Sequence, residues 1–295
     1  MIVHLNGQLV PREEARIDPF DRGFIFGDGL YEGLRSFDGV IYGLDLHAAR
    51  LDAGLRQCSI GGFDADDLGN LSRQLLDANG VQDAFVYWQI TRGTPSLDAS
   101  PKDIRKRIPG GEIARPTVFG YCVPLPGVDE CVAPKEVHAA IVEDTRWSRC
   151  DIKSISLMGN VLAAIDAANL GEHDAVLVRD GFVTEGSSTN LFVAKNGRIA
   201  TPPVDRGFNL RGVTRDKILR VMPEIEVREI PVSELLQADE IMLAGTITMI
   251  ASVTRLDGKP VGRGVVGEQA LAMYDALVGD IRRECVSRAN YTSNA

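Results

Sequence analysis

Cysteine and histidine are scarce in this chain of 295 residues. Its five cysteines, Cys58, Cys122, Cys131, Cys150 and Cys285, are widely scattered and form no C-x-x-C pair. That spacing fits neither a structural zinc centre nor a disulfide framework, so a reducing cytoplasm is the expected compartment. The four histidines, His4, His47, His138 and His173, are equally dispersed, which leaves no local metal-binding motif. Long apolar runs are also missing. The uncharged stretch over 241–253 stops well short of the roughly 18–20 apolar residues of a membrane-crossing helix. The opening MIVHLNGQLV has no basic lead, apolar core or small-residue cleavage site, so no secretory signal is expected. Positive charge is in deficit: 32 Lys+Arg against 41 Asp+Glu gives a net charge of −9. Nonspecific binding to nucleic acid or an anionic membrane needs the opposite balance.

What remains is an ordinary globular composition, 44% hydrophobic and 25% charged. This length allows one large domain or two ordinary ones, burying roughly three-quarters of the unfolded surface. Asn6-Gly7 lies between the apolar runs Val3-His4-Leu5 and Leu9-Val10. Both turn residues tolerate positive φ, which predicts a β-hairpin. Asp38-Gly39 predicts a second hairpin between 31–37 and 40–42. Leu46, Leu51 and Leu55 share one helical face, and Leu68, Leu71, Leu75 and Leu76 share another. A strand over 84–91, a polar, basic loop over 93–115 and a strand over 116–123 follow. Two prolines and a glycine within 122–128 read as a linker.

The expected organisation is a small N-terminal α/β domain over 1–120, a linker over 121–128 and a larger mixed-sheet domain over 129–295. In the latter, strands over 137–142, 175–178, 190–194, 225–230, 240–243 and 250–254 alternate with helices over 157–170, 213–222 and 266–283. The fold class is α/β in the broad sense, or α+β mixed. The polar tail after Arg288 is expected to fray.

Five segments invite a chemical reading. The glycine-rich run Phe26-Gly-Asp-Gly-Leu-Tyr-Glu-Gly33 has G-x-G-x-x-x-G spacing and precedes a strand, so it is no dinucleotide fingerprint. Its glycines read as a strand entering a crowded core. Lys153 is followed by twelve uncharged residues, 154–165. An ammonium at the rim of an uncharged core segment loses solvation, which frees the amine for carbonyl chemistry; an ordinary solvated lysine is the plainer alternative. Glu185 heads a small, hydroxyl-rich turn, Gly-Ser-Ser-Thr-Asn190. It suits either a carboxylate holding a heterocyclic nitrogen protonated or a loop capping its own backbone. Arg211-Gly-Val-Thr214 opens a helix, and Gly245-Thr-Ile-Thr248 follows a strand. Each can present N–H groups to a phosphate, with Arg50 adding charge. A reactive amine, a carboxylate for a pyridinium nitrogen and two phosphate-gripping turns are together what a pyridoxal-phosphate enzyme requires.

At these residues the sequence resembles the class IV (fold type IV) pyridoxal-phosphate aminotransferases. That family holds D-amino-acid, branched-chain and (R)-amine aminotransferases and aminodeoxychorismate lyase. The resemblance spans nearly the whole chain and is sharpest over 21–32, 143–154, 183–190 and 210–216. The lysine and glutamate segments look like D-amino-acid aminotransferase, whereas Tyr31-Glu-Gly-Leu-Arg-Ser-Phe37 is closer to the branched-chain enzymes. The match implies Lys153 as Schiff-base lysine and proton shuttle, and Glu185 as partner of the pyridinium nitrogen. It implies Arg50, Val213, Thr214, Thr246 and Ile247 around the phosphate, Leu210 against the cofactor ring, and Tyr31 toward the substrate. It further implies pyridoxal 5'-phosphate in a cleft between a small α/β domain and a larger cofactor-binding domain, a homodimer completing each site, and ping-pong exchange between an amino donor and a 2-oxo acid. In the D-amino-acid enzymes an Arg-x-His pair follows the segment matching Thr91-Arg-Gly93, and neither residue stands at that place here. Arg35 or a cation from Lys102, Arg105, Lys106 and Arg107 is the expected replacement for gripping a substrate carboxylate.

Overall fold

The computed structural model describes residues 1–95, 106–108, 115–131 and 134–286. Lys102, Arg105 and the polar tail after Arg288 lie outside the described residues. The chain forms two compact units. One holds Met1–Gly127, Ile152–Ser156 and the segment from Cys285; the other holds Val128–Asp151 and Leu157–Glu284. Among the described residues, no helix is long and apolar enough to cross a membrane.

The first unit contains the strands β1 (Ile2–Leu5), β2 (Gln8–Pro11), β3 (Gly29–Phe37), β4 (Val40–Ile41), β5 (Ala84–Thr91) and β6 (Val118–Pro124). They form an antiparallel sheet in the order β2-β1-β6-β5-β3-β4. Both hairpins turn through positive φ at each central residue: 50° and 87° at Asn6 and Gly7, 51° and 76° at Asp38 and Gly39. That is the turn whose twist matches paired strands. Helices Leu44–Cys58 and Leu68–Asn79 cover one face. Their Leu51, Leu55, Leu68, Leu75 and Leu76 join Leu30, Leu34, Val86, Trp88 and Ile90 in one core. Burying each such side chain contributes about 1.5–3 kcal/mol.

Two features differ from the sequence-based organisation. Much of the expected linker is strand, because Val86 pairs with Cys122 and Ala84 with Pro124. Pro124 ends β6, where no further ladder donor is needed. The short segment Ile152–Ser156 belongs to the first unit. It runs beside the start of β3, with Tyr31 N–H donating to the Lys153 carbonyl (3.0 Å) and Ile155 N–H to that of Gly29 (3.1 Å). Pairing across so many residues leaves no mark on local periodicity.

The second unit is built on β7 (Lys135–Glu143), β8 (Asp174–Arg179), β9 (Phe182–Gly186), β10 (Asn190–Lys195), β11 (Arg198–Thr201), β12 (Glu226–Val227), β13 (Glu240–Gly245), β14 (Met249–Leu256) and β15 (Lys259–Pro260). The sheet is mixed: β7 pairs in parallel with both β14 and β8, and most other pairs are antiparallel. The strand expected over 225–230 is only two residues long. Beyond Arg228, whose N–H still donates to Thr201 of β11, the chain reaches β9, where the Ile230 carbonyl accepts from Val183 N–H.

Helix Met158–Asn169 corrects a second expectation, that the uncharged run after Lys153 is core. Ala163 and Ala167 pack on Ala140, Ala175 and Leu177. That narrow alanine edge turns Met158, Val161, Leu162 and Ile165, spaced i, i+3, i+4 and i+7, away from the sheet, and they are 69%, 48%, 49% and 47% exposed.

Candidate active site

The structure gathers the sequence-predicted residues into two groups, one within each unit. In the first unit, successive side chains of β3 alternate between faces. Leu30, Glu32 and Leu34 turn toward the helices, which places Tyr31, Gly33, Arg35 and Phe37 on the opposite face. Lys153, half-buried, is fixed by its backbone pairing with Tyr31, and its Nζ lies 4.2 Å from the centroid of the Tyr31 ring. An ammonium over a π face is favourable. The same face carries a row of rings. Tyr31 stacks on Tyr87 at 5.7 Å between centroids, and Tyr87 on Tyr121 at 5.0 Å. Gly33 belongs there because an added Cβ would lie 2.8 Å from the Phe85 ring. This agrees with glycines admitting a strand to a crowded core.

On the helix side, Glu32 is fully buried. Arg50 donates to it side-on, Nε to Oε1 at 2.7 Å and Nη2 to Oε2 at 2.6 Å, and His47 Nδ1 meets Oε2 at 2.7 Å. Burial alone would raise the Glu32 carboxyl, but the charge and hydrogen bonds of Arg50, with His47, bring it down from 4.5 to about 2. Burial also lowers His47, outweighing Glu32. His47 is therefore neutral and donates its Nδ1–H to a charged Glu32.

Arg35 has a different setting from the one expected. It is buried, donates Nη2 to the Pro126 carbonyl at 2.9 Å and lies over the Phe37 ring. Lys106 and Arg107 are exposed, and their carbonyls accept from Arg22 at 2.7 and 3.2 Å. Arg22 and Arg92 both bind the Asp28 carboxylate, and together they hold it ionised against the upward push of burial.

In the second unit Glu185 sits on β9, buried, rather than in the turn that follows. Its Oε1 accepts from Arg146 Nη1 at 2.6 Å; its Oε2 accepts from Leu210 N–H at 2.9 Å and Asn190 Nδ2 at 3.2 Å. Burial raises the Glu185 carboxyl above its ordinary value, a rise that Arg146 and the Leu210 N–H offset only in part. Arg146 also grips Asp144 through Nε and Nη2, each at 2.9 Å, and Thr184 and Arg179 complete the shell of Asp144. Arg146 and Asp144 escaped the sequence reading, although their alternation within Asp144-Thr-Arg146 was a signal for a local ion pair.

Asn190 links Glu185 to the next element. Its amide donates to the Leu210 carbonyl at 2.9 Å, so Leu210 is held through both backbone groups. Only glycine fits at 212, where a Cβ would lie 1.9 Å from Asn190 Oδ1. Gly212 then begins helix Val213–Val221, whose N-terminus is capped by no side chain. The N–H groups of Val213 and Thr214 are thereby left for an anion to meet. The turn holding Thr246 and Ile247 joins β13 to β14 at the same end of the sheet, with Gly245 beside Thr189. Among the described residues, no group of three or more His, Cys, Asp or Glu is placed to hold a metal ion.

Comparisons with known proteins place the chain in a family. The family model for amino-transferase class IV matches residues 29–256. A D-alanine aminotransferase of Bacillus licheniformis is 36% identical over 289 residues, covering 96% of this chain and 98% of its own. The branched-chain amino acid aminotransferase of Escherichia coli shares the fold at a TM-score of 0.82 and 22% identity, over 94% of this chain and 93% of that one. A hypothetical aminotransferase from Mycobacterium tuberculosis, solved in its PLP-bound form, gives 0.78 at 20% identity, over 95% and 99%.

Proposed function

The chain belongs to the class IV aminotransferases, and from that premise we propose that it uses pyridoxal 5'-phosphate to exchange an amino group between a small amino acid, D-amino acids first, and a 2-oxo acid. The observation that carries the reading is Glu185, a buried carboxylate fixed by three donors. Oε1, which accepts one of the three, has a second lone pair for a further donor, and an anion in a dry site keeps a pyridine nitrogen protonated. Within the second unit, the uncapped helix start at Val213 and Thr214 and the Thr246-Ile247 backbone suit a phosphate, and the resemblance implies Arg50 as a further donor. Leu210, pinned at both backbone groups, suits an apolar contact with the ring.

When bound, the cofactor supplies an electron sink that makes the substrate α-hydrogen acidic. Lys153 would hold the cofactor through its amine and, once the substrate amine has displaced it, would accept the α-proton and deliver it to a different carbon. The Tyr31 ring steadies Lys153 in its charged form, since a cation is attracted to the π face while the neutral amine is not. Two half-reactions through one amine give ping-pong kinetics.

For the substrate carboxylate we favour Lys106 and Arg107 over Arg35, because recruiting Arg35 would sacrifice its bond to Pro126 and its contact with Phe37. A second reading takes larger substrates, branched-chain L-amino acids or (R)-primary amines. It is supported by the row of Tyr31, Tyr87 and Tyr121 rings. Turning the substrate over in one pocket reverses which enantiomer offers its hydrogen to Lys153. The exposed apolar stripe Met158, Val161, Leu162 and Ile165 supports a homodimer, because monomers rarely leave such a row in water. Five free cysteines suit a reducing cytoplasm.

The test offers D-alanine, L-leucine and (R)-1-phenylethylamine, each with pyruvate or 2-oxoglutarate. Consumption of D-alanine only when a 2-oxo acid is present supports the first reading. Preference for L-leucine or the amine moves the assignment to the second. Turnover without any 2-oxo acid points to a lyase of the aminodeoxychorismate type and overturns both.

A further inference from the structure

Arg50 has a long side chain, and an arginine that must meet a phosphate in one orientation gives up rotamer freedom to do so. Here that freedom is already removed from beneath. Glu32, projecting from β3, engages the Nε–Nη2 edge of Arg50 through both carboxylate oxygens, at 2.7 and 2.6 Å. Glu32 is held in turn by His47 at 2.7 Å, one helical turn before Arg50 on Leu44–Cys58. Neither Glu32 nor His47 reaches solvent, with exposures of 0% and 1%. A carboxylate without water, bound on both oxygens, can hardly rotate, and the arginine it grips is fixed with it. Neutral His47 supplies a donor without adding charge, so the cluster presents one guanidinium balanced by one carboxylate.

We propose that Glu32 and His47 are positioning residues that set Arg50 in the orientation in which it receives the cofactor phosphate, touching neither the phosphate nor the substrate themselves. The proposal rests on the reading of Arg50 as a phosphate ligand. A side-on carboxylate commits one edge of the guanidinium and thereby defines where its other edge points, which is how partners behind a ligand orient it at metal sites. A merely structural pair would support the whole unit. A positioning pair matters to the phosphate alone.

Pyridoxal phosphate and pyridoxal, which differ only in the phosphate, separate these possibilities. Each is titrated by absorbance into the full-chain apoprotein of wild type, Arg50→Ala, Glu32→Gln, His47→Leu and His47→Asn. Asn places an amide N–H close to where the Nδ1–H of His47 stands. Relative to wild type, Arg50→Ala, Glu32→Gln and His47→Leu are expected to weaken pyridoxal phosphate about tenfold, the low end for losing an outer partner. Pyridoxal affinity should hold, and His47→Asn should restore most of the loss. Equal weakening of both ligands in Glu32→Gln and His47→Leu makes the pair structural and overturns the proposal. So does tighter pyridoxal phosphate binding in Glu32→Gln, which would mean that Glu32 only cancels the charge of Arg50. If Arg50→Ala leaves phosphate selectivity intact, the phosphate role of Arg50 itself fails. Should Glu32→Gln not fold, the contrast between His47→Leu and His47→Asn decides alone.

Discussion

Arg146 donates to Glu185 at 2.6 Å while the rest of its guanidinium closes on Asp144, so a single cation serves two carboxylates. Both carboxylates are buried. Removing the cation therefore takes a partner from two buried carboxylates, of which Asp144 keeps Arg179.

Arg146→Met is expected to lower unfolding free energy by about 3–5 kcal/mol, the scale for breaking a buried pair from one side. Glu185→Gln added to that variant should recover part of the loss. Denaturant unfolding of the two single variants and the double variant measures the coupling. An Arg146→Met protein as stable as wild type contradicts the arrangement.

Glu32 makes stability depend on pH in a defined window. Its carboxyl is lowered from 4.5 to about 2, so the charged form belongs to the folded state. That contribution, about 3 kcal/mol, is complete above pH 4.5 and is lost as pH falls through 2. In Glu32→Gln this share of the acid slope should vanish. Unfolding free energies of both proteins between about pH 6 and the lowest accessible pH check it; parallel slopes would contradict the assignment.

At position 212 the constraint is steric. The φ of Gly212 is −69°, which any residue adopts, yet a Cβ would lie 1.9 Å from Asn190 Oδ1. Gly212→Ala should displace Asn190 from Glu185 and Leu210, at about 1–3 kcal/mol for an overpacked site. Pyridoxal phosphate affinity should fall with it. An unchanged melting temperature and affinity would show that the close approach is not enforced.

Among the candidate cations for the substrate carboxylate, the structure separates two kinds. Arg35→Ala should reduce stability, through lost contacts with Pro126 and Phe37, and leave KM for D-alanine unaltered. Lys106→Ala and Arg107→Ala should raise KM and leave stability alone. Steady-state kinetics beside thermal unfolding distinguishes the two, and the reverse pattern restores Arg35.

The sequence carried its clearest information where chemistry is local. Positive-φ turns at Asn6-Gly7 and Asp38-Gly39, leucine faces on two helices and the strand over 84–91 all follow from neighbouring residues. Short elements escaped: β9 and β11, with five and four residues, hold too few alternations to stand out. The place of Ile152–Ser156 beside β3 depends on pairing across more than 120 positions, which no window sees. Helix Met158–Asn169 misled for another reason. An apolar face signals burial against something, and the narrow alanine edge took the sheet. Within the site, Lys153 and Glu185 were legible by type and order, whereas the hold of Arg146 on Glu185 and of Glu32 on Arg50 arises only once strands and helices are packed.

The most direct measurement is borohydride reduction of the purified holoenzyme, followed by proteolysis and mass mapping of the pyridoxyl group. The account predicts a single modified residue, Lys153, and loss of transamination in Lys153→Ala. A pyridoxyl group on another lysine, or on none, with turnover surviving in Lys153→Ala, would contradict it.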